Sequence, residues 1–452
     1  MRNTGKQQTV TLEKLFRPID IAPLVFFRVV VGGLITIELA GEILTSYSAD
    51  YFHTDFNFSY LFFEWLKPWP PFWMHLHFGF NVLMALFVTL GLYYRTSALL
   101  LCLGTTSAFL MEKSVYINHT YLYCLTAFLM IFIPAHKAWS LDVKRKPAIA
   151  QSAVPAWTRS ILLFQISVVY IFAGLAKLNP DWLSGTPMNI WLPARAHYYI
   201  IGPLLAQPWL PHLMSWGGAA FDLLVVPLML WHLTRRWTFP IALTFHFTNV
   251  CIFGIGTFPW YSMAMTALFF PPYTFRKLAL LRNKLPAYAA VDFNRLLRPG
   301  LKKAIAAFLA LYVLVQIALP LRQYTYAGNS SWTEAGHNFS WHMMLRSKRP
   351  GTLYYKVVDP ASGEKWQVDP LQYITPHQYR SMTGKPDMIL ELAHHIRNKY
   401  AEEGYQEVEV YAHCTIDFNG RPNLMLTDTT VNLARQHRRL GPYDWVLPFE
   451  QE

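Results

Sequence analysis

Apolar residues in this chain run in blocks. Segments of spanning or near-spanning length fall at roughly 19–44, 74–92, 96–112, 120–135, 157–177, 211–232, 238–257, 259–272 and 303–320. About 20 apolar residues suffice for a helix to cross a bilayer. Several blocks are short or broken by Pro and Gly, and 259–272 reads either as a full span or as half of a helical hairpin. The pattern predicts an α-helical integral membrane bundle of about 8–9 transmembrane helices. Nine is preferred, because it sets the two chain ends on opposite sides. After residue 321 the pattern changes. LYYKVVDPASGEKWQVD reads as a β-hairpin around a Pro/Ser/Gly turn, and DMILELAHHIRNKYAEEG as an amphipathic helix between Pro386 and Gly404. In EVEVYAHCTIDFNGRPNLMLTD, Val408, Val410, Ala412, Cys414, Ile416 and Phe418 share one face before a turn at Asn419 and Gly420. Residues 1–320 are therefore expected to form the transmembrane domain. Residues 321–452 are expected to form a small extracytoplasmic α+β domain packed on the bundle.

Composition agrees with a membrane chain. Hydrophobic residues make up 53%, aromatic residues 16% and charged residues only 15%, where a soluble globular protein carries about 25% charged. Met1 to Arg17 is polar and basic, so no cleavable leader is expected and the first apolar block reads as a signal anchor. Charge then sets the topology. With the N-terminus cytoplasmic, the inner segments hold Arg2, Lys6, Lys14, Arg17, Arg95, HKAWSLDVKRKP, TRRW and the basic 276–303 stretch. The outer segments before residue 321 hold only Lys67, Lys113, Lys177 and Arg195. This is the asymmetry of the positive-inside rule. The formal charge of +12 thus belongs to the inner membrane face, and nucleic acid is not an expected partner. Cys102, Cys124, Cys251 and Cys414 make no framework, and no structural disulfide is predicted.

Polar groups inside apolar segments are costly, and each needs an account. In YIFAGLAKLNPDW, an apolar helix runs down to Lys177 and breaks on Asn179 and Pro180. One reading is snorkelling, with the ammonium at the head groups. The other is a desolvated amine, whose neutral form can act as a base. Arg28 reads as structural, either ion-paired, with Glu38 and Glu42 on the same helix, or interfacial. Asn118 and His119 open the fourth helix and could hold an anion or simply cap that helix. His246 and Asn249 share a face of the seventh segment. In HNFSWHMMLRSK, Trp341, Met343 and Met344 could cover a flat aromatic ligand, with His342 beside them. Arg346 could grip a carboxylate, or the stretch could be an interfacial collar. HExxH, CxxC, Walker and GxGxxG patterns are absent, and no metal site is expected.

INHTYLYCL, YIFAGLAKLNPDW, FHFTNVCIFGIGTFPW and WTEAGHNFSWHMMLR occur in an order and at spacings similar to the vitamin K-dependent γ-glutamyl carboxylases. The bacterial members, with a transmembrane domain of the HTTM type, resemble it most. The resemblance implies carboxylation of a peptide or protein glutamate to γ-carboxyglutamate. Reduced vitamin K (phylloquinone or menaquinone hydroquinone) is consumed with O2 and CO2 and leaves as the epoxide. It places the quinol-deprotonating lysine on Lys177 and the two family histidines on His119 and His246. Asn118, Asn249, Trp341, Met343 and Met344 are implied around the quinone, and Arg346 and His342 around the substrate. A quinol is about as acidic as phenol, ~10, so a neutral lysine suits it as a base. The active site is implied on the periplasmic or lumenal side. Animal members have a second lysine where this chain has Ala176. They also carry a propeptide-binding region beyond this length, so substrate recruitment is expected to differ. The alternative is a quinone- or lipid-binding membrane protein of the same fold without carboxylase activity.

Overall fold

The computed structural model describes residues 12–44, 51 and 56–449. Arg2, Lys6 and most of the 45–55 stretch lie outside the described residues. Every expected apolar block is a helix: α1 Ala22–Leu44, α2 Pro71–Leu90, α3 Tyr94–Met111, α4 Asn118–Phe132, α5 Trp157–Ala176, α6 Leu210–Leu230, α7 Arg235–Phe253, α8 Phe258–Ala267 and α9 Pro299–Leu321. Of these, α1, α2, α5, α6 and the segment containing α9 are long and apolar enough to cross a membrane. Helix α8 has 10 residues, about half the length of a full span.

Arg28 is structural, but it has no ion pair with Glu38 or Glu42. It is 1% exposed, and its guanidinium donates to the carbonyl oxygens of Thr89 (2.6 Å), Ala135 (3.1 Å) and Trp139 (2.5 Å). Carbonyls in the last turn of a helix have no partner within it. One arginine therefore satisfies the end of α2 and the turn that follows α4. Gly91 makes this possible. It closes α2 in the left-handed conformation, and a Cβ there would stand 2.7 Å from Arg28 Nη1.

Two three-residue strands, β1 Pro18–Asp20 and β2 Ala153–Pro155, pair antiparallel. Arg276 adds an ion pair to Asp20. Such short strands show no readable alternation, so this clasp is not legible in the sequence. It brings the segments around Arg17, residues 153–155 and Arg276 together.

The residues after α9 build the expected α+β domain. The sheet has order β4-β3-β5-β6, from β3 Lys348–Val358, β4 Lys365–Val368, β5 Glu409–Phe418 and β6 Arg421–Met425. Alternate residues of β5, Val410 to Phe418, are buried against helix α10, Pro386–Glu402, through Ile389, Leu392, Ala393 and Ile396. Charged and polar contacts fix this domain on the bundle. Lys113, just past α3, pairs with Asp387, which also accepts from Arg438 at 3.1 Å. Glu112 is fully buried and accepts from Gln378 at 3.0 Å. Asp181, in the short helix Pro180–Leu183 after α5, accepts from Asn419 (2.7 Å) and Arg421 (3.0 Å).

Candidate active site

Where the bundle meets this domain there is a cavity of ≈ 390 Å³. That lies within the 300–1,000 Å³ usual for small-molecule sites. Lys177, at the C-terminal end of α5, forms part of its wall. Its Nζ lies 2.7 Å from Asp222 Oδ2 on α6, and both residues are buried, at 5% and 6% exposure. Snorkelling requires an ammonium in the head-group water, and this one is paired inside the protein. The close approach of α6 is prepared one turn earlier. A Cβ on Gly174 would stand 2.7 Å from Leu223, so only glycine lets the two helices meet there. Below Lys177, Asn179 caps the short helix Pro180–Leu183 by accepting from the Trp182 amide at 3.0 Å. The Trp182 ring is thereby set 5.2 Å from the ammonium, in cation–π range.

His246 of α7 lines the same cavity and is 3% exposed. Its Nε2 is 2.7 Å from Tyr170 Oη, which also meets Thr266 at 2.8 Å. His119 of α4 lines the cavity too, with Nε2 3.3 Å from Glu38 of α1. Glu38 is held in turn by Thr257 Oγ1 at 2.7 Å. Neither Asn118 nor His119 caps α4; its first residue follows Ile117, and no side chain closes that end. Asn118 instead donates to the carbonyl of His342 at 2.9 Å and accepts from Tyr116 at 3.0 Å. It pins the segment that carries Met343 and Met344 over the cavity.

Of the residues expected here, Lys177, His119, His246, Asn118, Asn249, Met343, Met344 and Arg346 line the cavity together. Trp341 and His342 do not. Trp341 is fully buried and stacks on Tyr121 at 5.0 Å. His342 faces His337, Nδ1 to Nδ1 at 2.7 Å. Their side chains turn inward because the backbone of this segment is tightly wound, with positive φ at Phe339, Trp341 and Met344. Arg346 reaches the cavity wall, but its guanidinium is already committed, to Glu334 at 2.5 Å and to the Ser331 carbonyl. The two cations Arg346 and Lys348 hold the buried Glu334 carboxyl well below its usual range.

Residues 16–273 match the HTTM domain, and residues 301–452 match the lumenal domain of vitamin K-dependent gamma-carboxylase. The chain belongs to the vitamin K-dependent γ-carboxylase family. No solved structure matches it. The lumenal-domain match begins inside α9, so it includes the last long apolar helix together with the sheet.

Seen as a carboxylase-family site, the cavity holds groups that the sequence did not single out. Asp222, Tyr170 and Trp182 all line it. Asp222 had a readable signal, an acid alone in the apolar run WGGAAFDLLVV. Tyr170 and Trp182 had none, because aromatic residues are common throughout these helices.

Proposed function

We propose that this chain carboxylates a peptide glutamate to γ-carboxyglutamate with reduced vitamin K, O2 and CO2. The observation that supports it most is the buried Lys177–Asp222 pair in the wall of a cavity shared with His119 and His246. The balance is quinol, O2, glutamate and CO2 to epoxide, water and γ-carboxyglutamate. Bound quinol supplies the strong base, through its oxidation by O2, that a glutamate γ-proton requires and no side chain provides.

The residues present suit such a ligand. Met343, Met344, Phe245 and Phe258 offer apolar surfaces for a flat bicyclic ring, and Asn249 offers an amide to one of its oxygens. Lys177 accepts a phenolic proton once it has released the proton that pairs it with Asp222. Asp222 compensates the ammonium that results and fixes its position. His246, oriented by Tyr170, and His119, oriented by Glu38, shape the quinol and carbanion sites. Burial keeps water from competing for protons.

The nine blocks are read as about 8–9 spans with the N-terminus cytoplasmic, supported by the basic segments that meet at the β1–β2 end. The site then faces the lumen or periplasm. The test is incorporation of labelled bicarbonate into a glutamate-containing peptide by the purified protein in lipid, with reduced vitamin K and O2. Label in the peptide together with an equal yield of epoxide is the expected result. Bound quinol with neither product contradicts the proposal.

A further inference from the structure

A second cavity, of ≈ 220 Å³, lies between the bundle and the lumenal domain. Its rim includes Phe63 and Leu440, both exposed. It shares Asn338 and Lys385 with the Lys177 cavity, so the two spaces meet at these side chains. The charges lining it are unequally matched. Glu334 is occupied by Arg346 and by Lys348 at 2.8 Å, and Asp387 by Lys113 and Arg438. Arg322 donates only to the carbonyls of Leu319 and Asn338. Lys385 Nζ reaches only Ser381 Oγ, at 3.0 Å. Among the described residues, then, neither Arg322 nor Lys385 has a carboxylate within ion-pair distance, and Glu334 and Glu112 act on Lys385 only through space. Burial lowers the Lys385 ammonium from its usual range. A buried cation of this kind gains from any carboxylate that reaches it. Arg346, the carboxylate receptor expected from sequence, already has Glu334, and Lys385 is the cation left open at the junction.

We infer that the second cavity docks an acidic peptide, and that Lys385 receives the γ-carboxylate of the glutamate passing from it into the Lys177 cavity. Arg322, in the same wall, offers a place for a second carboxylate, which favours peptides with clustered glutamates. The fate of that glutamate rests on the carboxylation reading; the binding itself requires neither quinol nor turnover.

The experiment is fluorescence anisotropy with the full chain in lipid nanodiscs, without quinol. The probes are a dye-labelled pentapeptide containing two glutamates and the same peptide with glutamines instead. One charge-assisted hydrogen bond corresponds to roughly tenfold or more in affinity. Lys385→Gln is expected to weaken the glutamate peptide by about that factor while leaving the glutamine peptide nearly unchanged, and Lys385→Arg to restore most of the loss. The inference is overturned if the wild type does not discriminate between the peptides. It is equally overturned if Lys385→Gln weakens both peptides alike or neither. Discrimination that depends on Lys385 in a protein that makes no carboxylated product would uphold the dock and sink the carboxylase reading.

Discussion

The Lys177–Asp222 pair carries two burdens, and they can be separated. As a buried ion pair it is a poor source of net stability, since each charge is withdrawn from water. Removing one partner is worse, because the other is left buried and alone. Asp222→Ala is therefore expected to cost about 3–5 kcal/mol. The double variant Lys177→Met with Asp222→Leu is expected to cost much less. Unfolding midpoints in detergent compare the two, and a double variant less stable than Asp222→Ala would contradict this account of the pair. Arg28 is a second single-residue case. Its three carbonyl bonds involve a charged donor, worth about 1.5–3 kcal/mol each. Arg28→Gln should lower the unfolding midpoint strongly while leaving the lining of the Lys177 cavity intact, and quinol binding at low temperature should persist.

At the scale of elements, the tight segment from His337 to Arg346 links the bundle to the sheet and carries a pH dependence. Burial, chiefly, pushes the His342 ring down to about 3 and lowers His337 as well. Arg346 adds to both shifts, Glu334 opposes them, and Lys177 and Arg322 also act on His342. An unfolded histidine titrates near ~6.5. With the folded value depressed, the stability from neutral rings is fully present above about pH 6.5 and is lost as pH falls toward 3. Melting of the protein in nanodiscs should therefore shift downward by several degrees between pH 7.5 and 5, and His342→Gln should flatten that slope. An unchanged slope in the variant would place the acid sensitivity elsewhere.

The elements also show what a sequence can and cannot reveal. The apolar blocks and the alternation of Val408 to Phe418 were legible because one rule, burial of one face or of the whole segment, governs many residues at once. The β1–β2 clasp was not, because three residues carry no period. Lys177, His119 and His246 were legible as polar groups in costly places. Trp341 and His342 lie outside the cavity lining, in a segment where positive φ at Trp341 and Met344 changes where neighbouring side chains point. A string of letters does not record that. Nor does it show that Glu334, 12 residues before Arg346, occupies the guanidinium expected to meet substrate.

At the scale of the molecule, the site exists only where the two domains meet, since Lys177, His119 and His246 come from the bundle and Met343, Met344 and Lys385 from beyond it. The contacts that hold the domains together are therefore part of the architecture of this cavity. Arg438 pairs with Asp387 and Glu391 of its own domain and donates to the Ser59 backbone across that junction. Arg438→Ala should loosen the lumenal domain, seen as faster hydrogen exchange in α10, and should raise the KM for peptide more than the KM for quinol.

The central claim is that Lys177 is the base of a carboxylation reaction. The most direct measurement is labelled bicarbonate incorporation by Lys177→Ala beside the wild type, with and without a small added amine. A positioned base contributes about 10²–10⁴-fold in rate. Carboxylation and epoxidation should fall together by that order in the variant and return in part with the amine. Label that persists in Lys177→Ala at near wild-type rate would leave the activity standing and remove Lys177 from its role.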